Sequence, residues 1–363
     1  MNTNKVLNAL SERLGLNQDM VYCWLRSGLL RIEEFRGLVY VRFLSDLPGL
    51  AKGTVILIGD PIKDEPRLIP AQPKIVKPLS IYTSIVSLLR DNPSITMIAE
   101  EYLVGYGVRV VNYNNSIYAI LSNGLICPYT TNRIRSLYGT SLTGFFKDYD
   151  PWRYVLVGSI IGLDNPYHKR FYQHHPSFAL IFTDVVIDGR PADIATRDEI
   201  LESYGFERAP VLGLIDNASL DRLTRLLLEV EERGLGGIVF KDVNYSVRPM
   251  AYISARGIVE EIASIASGGL PPFIDSTIHD FASSISSYIE LRGNIEDIME
   301  YISIMFKRYG SKPHAVERRE LVTLVFDNSE EVEEVVNFLS RFFDVELEKV
   351  SEREDKGALR VLF

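Results

Sequence analysis

The residues with the clearest potential for chemistry lie in one short stretch, residues 100–111, which reads EEYLVGYGVRVV. Two carboxylates, Glu100 and Glu101, follow an apolar strand pattern, and Arg109 lies in the next strand pattern. The glycines between them supply the backbone freedom that a tight turn needs. This arrangement is typical of a strand–turn–strand that contacts a nucleotide. Its central side chain, Tyr102, is a phenol and a poor nucleophile near neutral pH.

The composition sets limits on the class of protein. With 363 residues, 46% of them hydrophobic and 24% charged, the chain is long enough for two or three packed units. The formal net charge of −9 argues against non-specific binding to duplex DNA, because phosphate contacts need clustered lysine and arginine. A local basic groove for RNA is compatible with this charge.

The two cysteines and the absence of a long apolar run predict an intracellular, cytoplasmic protein. Cys23 and Cys127 lie far apart and without metal-ligand spacing, so we expect two buried thiols and neither a disulfide nor a zinc site. The N-terminus lacks an apolar signal core, and no run reaches the ~18 residues that span a bilayer.

The elements that position residues 100–111 are predicted by hydrophobic periodicity. Residues 1–77 are predicted as an N-terminal appended domain with two short helices, the strands LVYVRF and TVILIG, and a proline-rich linker over residues 61–78. The two helices have no basic face, which favours packing over DNA binding. Residues 78–256 contain five strand patterns, and turn signals such as Asn114-Asn115 predict antiparallel pairing.

Helices dominate the later part of the predicted chain. One is expected to begin after Ser219 and end at Gly234. Residues 257–310 are predicted as a helical dimerisation segment, and residues 311–363 as a small β-α-β-β domain. Two apolar stripes in the helical segment need a partner surface, either an intrachain core or a second subunit. They consist of Ile278, Phe281, Ile285 and Ile289, and of Ile295, Ile298, Met299, Ile302, Met305 and Phe306.

Further motifs follow in order: CPYT at residues 127–130, Gly158-Ser159, NPY at 165–167, IFTD at 181–184, GGIVFKD at 236–242 and MAYI at 250–253. Together with residues 100–111 they resemble the archaeal homodimeric ATP-dependent RNA ligases of the lysine nucleotidyltransferase superfamily. The resemblance implies an α+β adenylyltransferase domain of antiparallel sheets with helices. It also implies ATP and magnesium as cofactors, RNA as a substrate, and a homodimer.

The departures from the family pattern fall on positions with chemical roles. In the family, a lysine attacks ATP to form a lysyl-AMP, a glutamate holds the nucleotide sugar, a second glutamate is associated with the metal, and a second lysine neutralises the triphosphate. The positions for these four groups here are Tyr102, Ser159, Gly236 and Ala251, and two further departures are Val104 for aspartate and Gly107 for asparagine. We therefore expect no catalytic residue and no metal ligand.

The matching positions are candidates for residual nucleotide binding: Glu101, Gly105, Arg109, Phe182 and Lys241. Arg109 and Lys241 could contact phosphate, and Phe182 stands where the family stacks an aromatic ring on adenine. The alternative is that Phe182 is core and Arg109 a strand-end ion pair. Between Ile95 and Met305, the lysines that could replace the nucleophile are Lys147, Lys169 and Lys241.

One local basic loop contains His168, Lys169, Arg170, His174 and His175. The sequence favours solvent-facing residues over a metal cluster. The adjacent aromatic residues motivate a hypothesis of RNA contact. These are Tyr167, Phe171 and Tyr172.

The sequence leads to one main hypothesis and two rivals. The main hypothesis is a pseudo-enzyme of the RNA ligase type that binds RNA ends, a nucleotide or a partner, as a homodimer or with an active paralogue. The first rival is an active ligase with a displaced nucleophile that joins 5′-phosphate and 3′-hydroxyl ends. The second is a purely structural oligomeric protein.

Overall fold

A computed structural model describes residues 3–15, 17–59, 64–167, 170–258, 278–293, 321–325, 329–342, 346–353 and 356–362, with single positions between 296 and 303. The helices are α1 (Thr3–Leu14), α2 (Gln18–Arg26), α3 (Ile81–Asp91), α4 (Pro128–Asp148), α5 (Ile194–Ser203), α6 (Leu220–Glu232), α7 (Ile278–Arg292) and α8 (Ser329–Phe342). The strands are β1 (Leu30–Phe35), β2 (Leu38–Phe43), β3 (Val55–Gly59), β4 (Arg67–Ile69), β5 (Met97–Glu101), β6 (Tyr106–Tyr113), β7 (Ser116–Leu121), β8 (Tyr154–Ile161), β9 (Ala179–Ile187), β10 (Arg190–Pro191), β11 (Val211–Ile215), β12 (Gly237–Asp242), β13 (Met250–Ile253), β14 (Leu321–Val325), β15 (Glu346–Arg353) and β16 (Lys356–Leu362).

The chain forms two compact units. The first consists of Met1–Gln72, Gly107–Gly158 and Asp184–Pro191, and the second of Pro73–Tyr106, Ser159–Thr183 and Ala192–Phe363. Mixed helices and antiparallel sheets confirm the predicted α+β class. No helix in the described part of the chain is long and apolar enough to cross a membrane.

The first unit is built on the antiparallel sheet β1-β2-β3-β4. Strand β2 is buried along its whole length because both of its faces are covered. Val41 and Phe43 pack with Val6 and Leu10 of α1. On the other face of β2, Leu38 and Tyr40 pack with Val111 of β6 and Ile120 of β7.

The hairpin β6-β7 confirms the turn predicted from its sequence. Tyr113 pairs with Ser116, so Asn114 and Asn115 form a two-residue turn, and both have positive φ, at 49° and 60°. Asparagine tolerates this left-handed conformation better than most residues, which explains the pair at this point. Helix α4 follows, with Pro128 in its first turn, where the missing N–H costs no helical hydrogen bond.

The second unit is built on the antiparallel sheet β11-β5-β12-β13, which carries Glu100, Glu101 and the motifs at residues 236–242 and 250–253. One face packs on α3 and α6, with Ile85, Leu89, Leu223, Leu227 and Phe240 in one core. The opposite face carries Val239, Ala251 and Ile253, which pack with Tyr288 of α7. Residues 321–362 contain the predicted β-α-β-β unit, with strand order β14-β16-β15.

Several sequence predictions are wrong in detail. Cys23 is exposed, because it lies on the solvent side of the short α2, whereas Cys127 is buried as expected. Ser219 is the N-cap residue of α6 as predicted, but its hydroxyl bonds the Asp216 carboxylate instead of a backbone N–H of the helix. The predicted linker over residues 61–78 contains β4.

Helix α7 bears out its predicted apolar stripe in part. Ile285 packs against the cluster of Val239 and Ala251, whereas Ile289 is 37% exposed, and Ser283, Ser287 and Tyr288 are also buried. Within the second apolar stripe, Met299 is exposed, and Ile295, Ile298, Ile302, Met305 and Phe306 lie outside the described residues. The same applies to the side chains of Ile278 and Phe281.

Candidate functional site

The centre of the candidate site is a buried set of charges on one face of the second unit's sheet. Strands β5 and β12 pair so that Val239 lies opposite Glu100, which places Lys241, two residues further on, on the same face as Glu100. Lys241 Nζ lies 3.0 Å from Glu100 Oε2, and Arg197 Nη2, from α5, lies 2.6 Å from Glu100 Oε1. All three side chains are at least 97% buried.

The two cations also share one backbone acceptor. Lys241 Nζ donates to the Thr183 carbonyl oxygen at 2.7 Å, and Arg197 Nη1 donates to the same oxygen at 2.9 Å. Arg197 further contacts Asp198, which pairs with the half-exposed Arg208. Buried charges are tolerated when they are paired and hydrogen-bonded in this way. Lys241, predicted to bind nucleotide, is thus engaged by protein groups.

Tyr102 follows Glu100 on the same sheet face, at the end of β5. Its N–H donates to the Gly237 carbonyl oxygen at 3.0 Å. The half-buried ring packs against the cluster that contains Val239 and Ala251. Two positions that carry lysines in the resembling family, 102 and 251, therefore border one apolar cluster. Lys77 Nζ lies 5.9 Å from the centroid of the Tyr102 ring.

The space around Gly236 is filled by its neighbours. A Cβ on this residue would lie 2.5 Å from Val104 Cγ2, 2.7 Å from the Tyr102 carbonyl oxygen and 2.9 Å from Arg170 Nη1. Real Cβ contacts are longer than this. Position 236, which carries a metal-associated glutamate in the family, has no room for a side chain here.

The two turn glycines are also tightly packed, each within its own unit. A Cβ on Gly105 would lie 2.4 Å from the Ile160 carbonyl oxygen, so the close approach of backbone requires glycine. A Cβ on Gly107 would lie 2.2 Å from Gln72 Oε1, so the Gln72 amide fills the space that an asparagine would occupy.

Arg109 and Phe182 have structural surroundings. Arg109 is fully buried, and its Nη2 donates to the carbonyl oxygens of Gly53 and Leu121 at 2.8 and 2.9 Å. The Phe182 ring is fully buried and lies 4.6 Å from the Phe206 ring, centroid to centroid. Their predicted roles in binding phosphate and adenine stay predictions.

Glu101 and Ser159 are both partly exposed. Burial raises the pKa of the Glu101 carboxyl, and the charges of Arg170 and Arg233 offset that rise only in part. Its role in nucleotide binding also stays a prediction.

Asn165 of the NPY motif is fully buried, donates to the Ile160 carbonyl oxygen at 2.8 Å, and accepts from the Tyr167 N–H at 3.1 Å. This motif therefore fixes a loop.

The sequence predicted a solvent-facing basic loop, but one of its residues is buried. Arg170 is 8% exposed, lies over the Tyr172 ring at 5.0 Å, and reaches Gly236. Phe171 is exposed, and His175 Nε2 contacts Glu207 at 2.8 Å. His168 and Lys169 lie outside the described residues.

The described residue at position 236, a glycine, does not supply the carboxylate that the resembling family associates with its metal. The described side chains contain no group of three histidine, cysteine, aspartate or glutamate residues placed to hold a metal. The space of one family carboxylate is filled by Val104 and Arg170. Magnesium prefers carboxylate and phosphate oxygens, and a buried guanidinium repels a cation.

Sequence reasoning missed two cations near these positions, Lys77 and Arg170. Lys77 lies before Ile95, outside the range 95–305 that contains the three lysines named as possible replacements. Arg170 was predicted only as a solvent-facing member of the basic loop. The sequence does contain a signal for Lys77. In the motif VKP, the proline favours an extended conformation for the lysine before it, and this segment lies just before α3.

This fold is that of solved ATP-dependent ligases. Two solved forms of an archaeal ATP-dependent RNA ligase superpose with TM-scores of 0.78 and 0.79, at 24% identity, and cover 98% of this chain and 95% of theirs. A protein of Aquifex aeolicus, assigned provisionally as an ATP-dependent DNA ligase, gives 0.78 at 21% identity, with 95% and 94% covered.

In sequence, the chain is 24% identical to the uncharacterized protein MJ0414 of Methanocaldococcus jannaschii. The match spans 351 residues, 92% of this chain and 85% of that protein. No family model matches the sequence. The predicted resemblance to archaeal RNA ligases is confirmed at the level of the fold.

Proposed function

We propose that this protein is an RNA-ligase-like binding protein that has lost the formation of a lysyl-AMP. Its ligands would be a nucleotide or a phosphorylated RNA end. One observation carries the proposal: Val104 and Arg170 fill the space around Gly236, so the metal-associated carboxylate cannot be restored by a simple side-chain change. Loss of the amine at Tyr102 points in the same direction.

The chemistry explains why these losses act together. Nucleotidyl transfer needs a nucleophilic amine, and it needs cations that balance the charge on the transferring oxygens. Here the nucleophile position is a phenol, the metal carboxylate position is Gly236, and the triphosphate lysine position is Ala251. Each loss alone would slow the reaction greatly. Together they remove both the bond-forming group and its electrostatic support.

The other lysines considered as replacements offer little support for the enzyme rival. Lys241 is buried against Glu100, and its amine donates to the Thr183 carbonyl oxygen. Lys147 lies exposed on α4, in the first unit rather than the second. Lys169 lies outside the described residues.

We also propose that the protein assembles through residues 257–310, either with a second copy or with an active paralogue. Ile289 and Met299 are exposed apolar side chains in this segment. Burial of exposed apolar side chains by a partner favours association. The proposed contact with RNA rests on the exposed Phe171 beside the basic loop, because exposed aromatic rings can stack on unpaired bases.

Calorimetry with AMP and ATP, each with and without magnesium, tests the binding function. We expect weak binding, with ATP binding no better than AMP, because the counter-charges for a triphosphate are missing. Tight, magnesium-dependent binding of ATP would contradict the proposal and favour the active-ligase rival. If neither nucleotide binds, and RNA with a 5′-phosphate does not bind either, the protein is not a binding module of this kind.

A further inference from the structure

Lys77 lies beside the candidate site on a segment that precedes α3. Its amine is 5.9 Å from the centroid of the Tyr102 ring, a distance at which a cation is attracted to an aromatic face. Tyr102 in turn borders the cluster that contains Ala251. Lys77 therefore places an ammonium group next to the positions at which the resembling family has its two lysines.

The backbone on the N-terminal side of Lys77 is fixed to strand β13. The Ala251 N–H donates to the Val76 carbonyl oxygen, and the Val76 N–H donates to the Pro249 carbonyl oxygen, both at 2.9 Å. Val76 and Met250 form a parallel bridge. Lys77 therefore comes directly after Val76, whose backbone is hydrogen-bonded to Ala251.

The backbone on the C-terminal side is fixed to α7. The buried hydroxyl of Ser287 donates to the Pro78 carbonyl oxygen at 2.9 Å and accepts from the Ile81 N–H at 3.2 Å. The Ser80 and Thr83 hydroxyls both donate to the Glu290 carboxylate. Anchoring on both sides reduces the entropy that Lys77 would lose when it contacts a ligand.

The buried charges on the sheet face that carries Tyr102 are paired with one another. The connected side chains of Glu100, Lys241, Arg197, Asp198 and Arg208 contain three cations and two carboxylates. Lys241 and Arg197 are buried against Glu100. They therefore do not contact a ligand directly and act on it only through their charge. Lys77 is half-buried and approaches from a neighbouring segment.

We infer that Lys77 supplies, from outside the family motifs, the ammonium group of a phosphate-binding subsite beside Tyr102 and Ala251. Its ligand is a phosphate monoester, carried by a nucleotide or by an RNA 5′ end. This inference rests on the proposed function and names the residue and the chemical group that it recognises. Lys77 binds the phosphate without forming a bond to phosphorus.

Calorimetric titration of the full-length protein with AMP and with adenosine tests the role of Lys77. We expect Lys77→Ala to weaken AMP binding by about tenfold to a hundredfold, as for the loss of a charge-assisted hydrogen bond. Adenosine binding should not change. Lys74→Ala is a matched control, because Lys74 is exposed on the same segment, and it should leave both affinities unchanged.

Three further arms separate the possible outcomes. Lys77→Arg keeps the charge and should retain most of the AMP affinity, and thermal unfolding checks that each variant is folded. A 5′-phosphorylated oligoribonucleotide compared with its 5′-hydroxyl form shows whether the phosphate belongs to RNA or to a free nucleotide. Intact-mass analysis of the unmodified protein and of Lys77→Ala after incubation with ATP detects an adduct and shows whether it depends on Lys77.

Equal AMP affinity in Lys77→Ala and the unmodified protein would overturn the inference, yet leave the proposed binding function intact. Equal losses in Lys77→Ala and Lys74→Ala would also overturn it, because they would indicate only general charge attraction. A covalent Lys77–AMP adduct would contradict both the inference and the proposed loss of nucleotidyl transfer. Failure of the unmodified protein to bind any phosphate probe would contradict the proposed function itself.

Discussion

Val104 Cγ2 lies 2.5 Å from the point where a Cβ on Gly236 would be. Both residues stand at positions where the resembling ligases have carboxylates, so two departures from the family pattern occupy one space. The valine side chain fits because the glycine has none. The pair is therefore a packing unit, and a side chain added at position 236 creates a steric conflict with Val104.

The first prediction concerns this steric conflict. Gly236→Ala should lower the free energy of unfolding by about 1–3 kcal/mol, as expected for overpacking in a core. Gly236→Glu should cost more, since it adds a carboxylate beside Val104 and the Tyr102 carbonyl oxygen. Chemical denaturation measures both.

Two controls make the test of Gly236 specific. Gly139→Ala, in α4, introduces a methyl group with no atom within 4 Å and should be neutral or stabilising. Val104→Ala combined with Gly236→Ala should cost less than the sum of the two single changes, because each relieves the other. Strict additivity would contradict the packing relationship.

A second prediction concerns the buried charges. Lys241→Met should destabilise the protein by about 3–5 kcal/mol, because it removes one of the two cations paired with the buried Glu100 carboxylate. Glu100→Gln combined with Lys241→Met should recover part of that loss. The exposed Arg225–Asp221 pair on α6 is the control, and Arg225→Ala should change stability by less than about 1 kcal/mol. Similar costs for Lys241→Met and Arg225→Ala would argue against a buried network.

A third prediction concerns the pH dependence of stability at Glu101. Its pKa is raised in the folded protein, chiefly by burial, so the folded state holds this proton to a higher pH than the unfolded chain does. Between the two pKa values the folded state binds more protons, and the free energy of unfolding therefore falls as pH rises through that window. The glutamine in Glu101→Gln does not ionise. The stability of this variant relative to the unmodified protein should therefore increase as pH rises through that window. Denaturation between about pH 4 and about pH 8 measures the difference. A difference that is constant with pH would contradict this prediction.

A fourth prediction concerns assembly. Ile298→Asp with Ile302→Asp should weaken self-association, because it would place charges in the proposed apolar contact at a cost of several kcal/mol. Light scattering at micromolar concentration measures the oligomeric state. A monomer for the unmodified protein would contradict assembly with a second copy, and mixing with an active paralogue would then test the heteromeric alternative.

Strands and amphipathic helices near the motifs were predictable because their local patterns are strong. The Asn114-Asn115 turn and the leucine face of α6 are examples. Helices α3, α4 and α5 were not predicted. Helix α4 mixes polar, aromatic and small residues without a clean apolar stripe, so periodicity gives little signal there.

The motif positions could be predicted, but their contacts could not. The pairing of Lys241 with Glu100 depends on strand register across 141 positions of sequence, and the filling of the Gly236 space depends on three separate segments. The contact of Lys77 with Tyr102 depends on how the segment before α3 is anchored. Such relationships arise from tertiary packing, which local patterns do not encode.

The most direct test of the central proposal is intact-mass analysis after incubation with ATP and magnesium, for the unmodified protein and for Tyr102→Lys. We predict no covalent AMP on either, because the amine alone does not restore the missing carboxylate and lysine, and groups that act as a unit are strongly non-additive. A stoichiometric AMP adduct on the unmodified protein would contradict the proposed loss of nucleotidyl transfer. An adduct that appears only in Tyr102→Lys would contradict the claim that the surrounding site has lost its function.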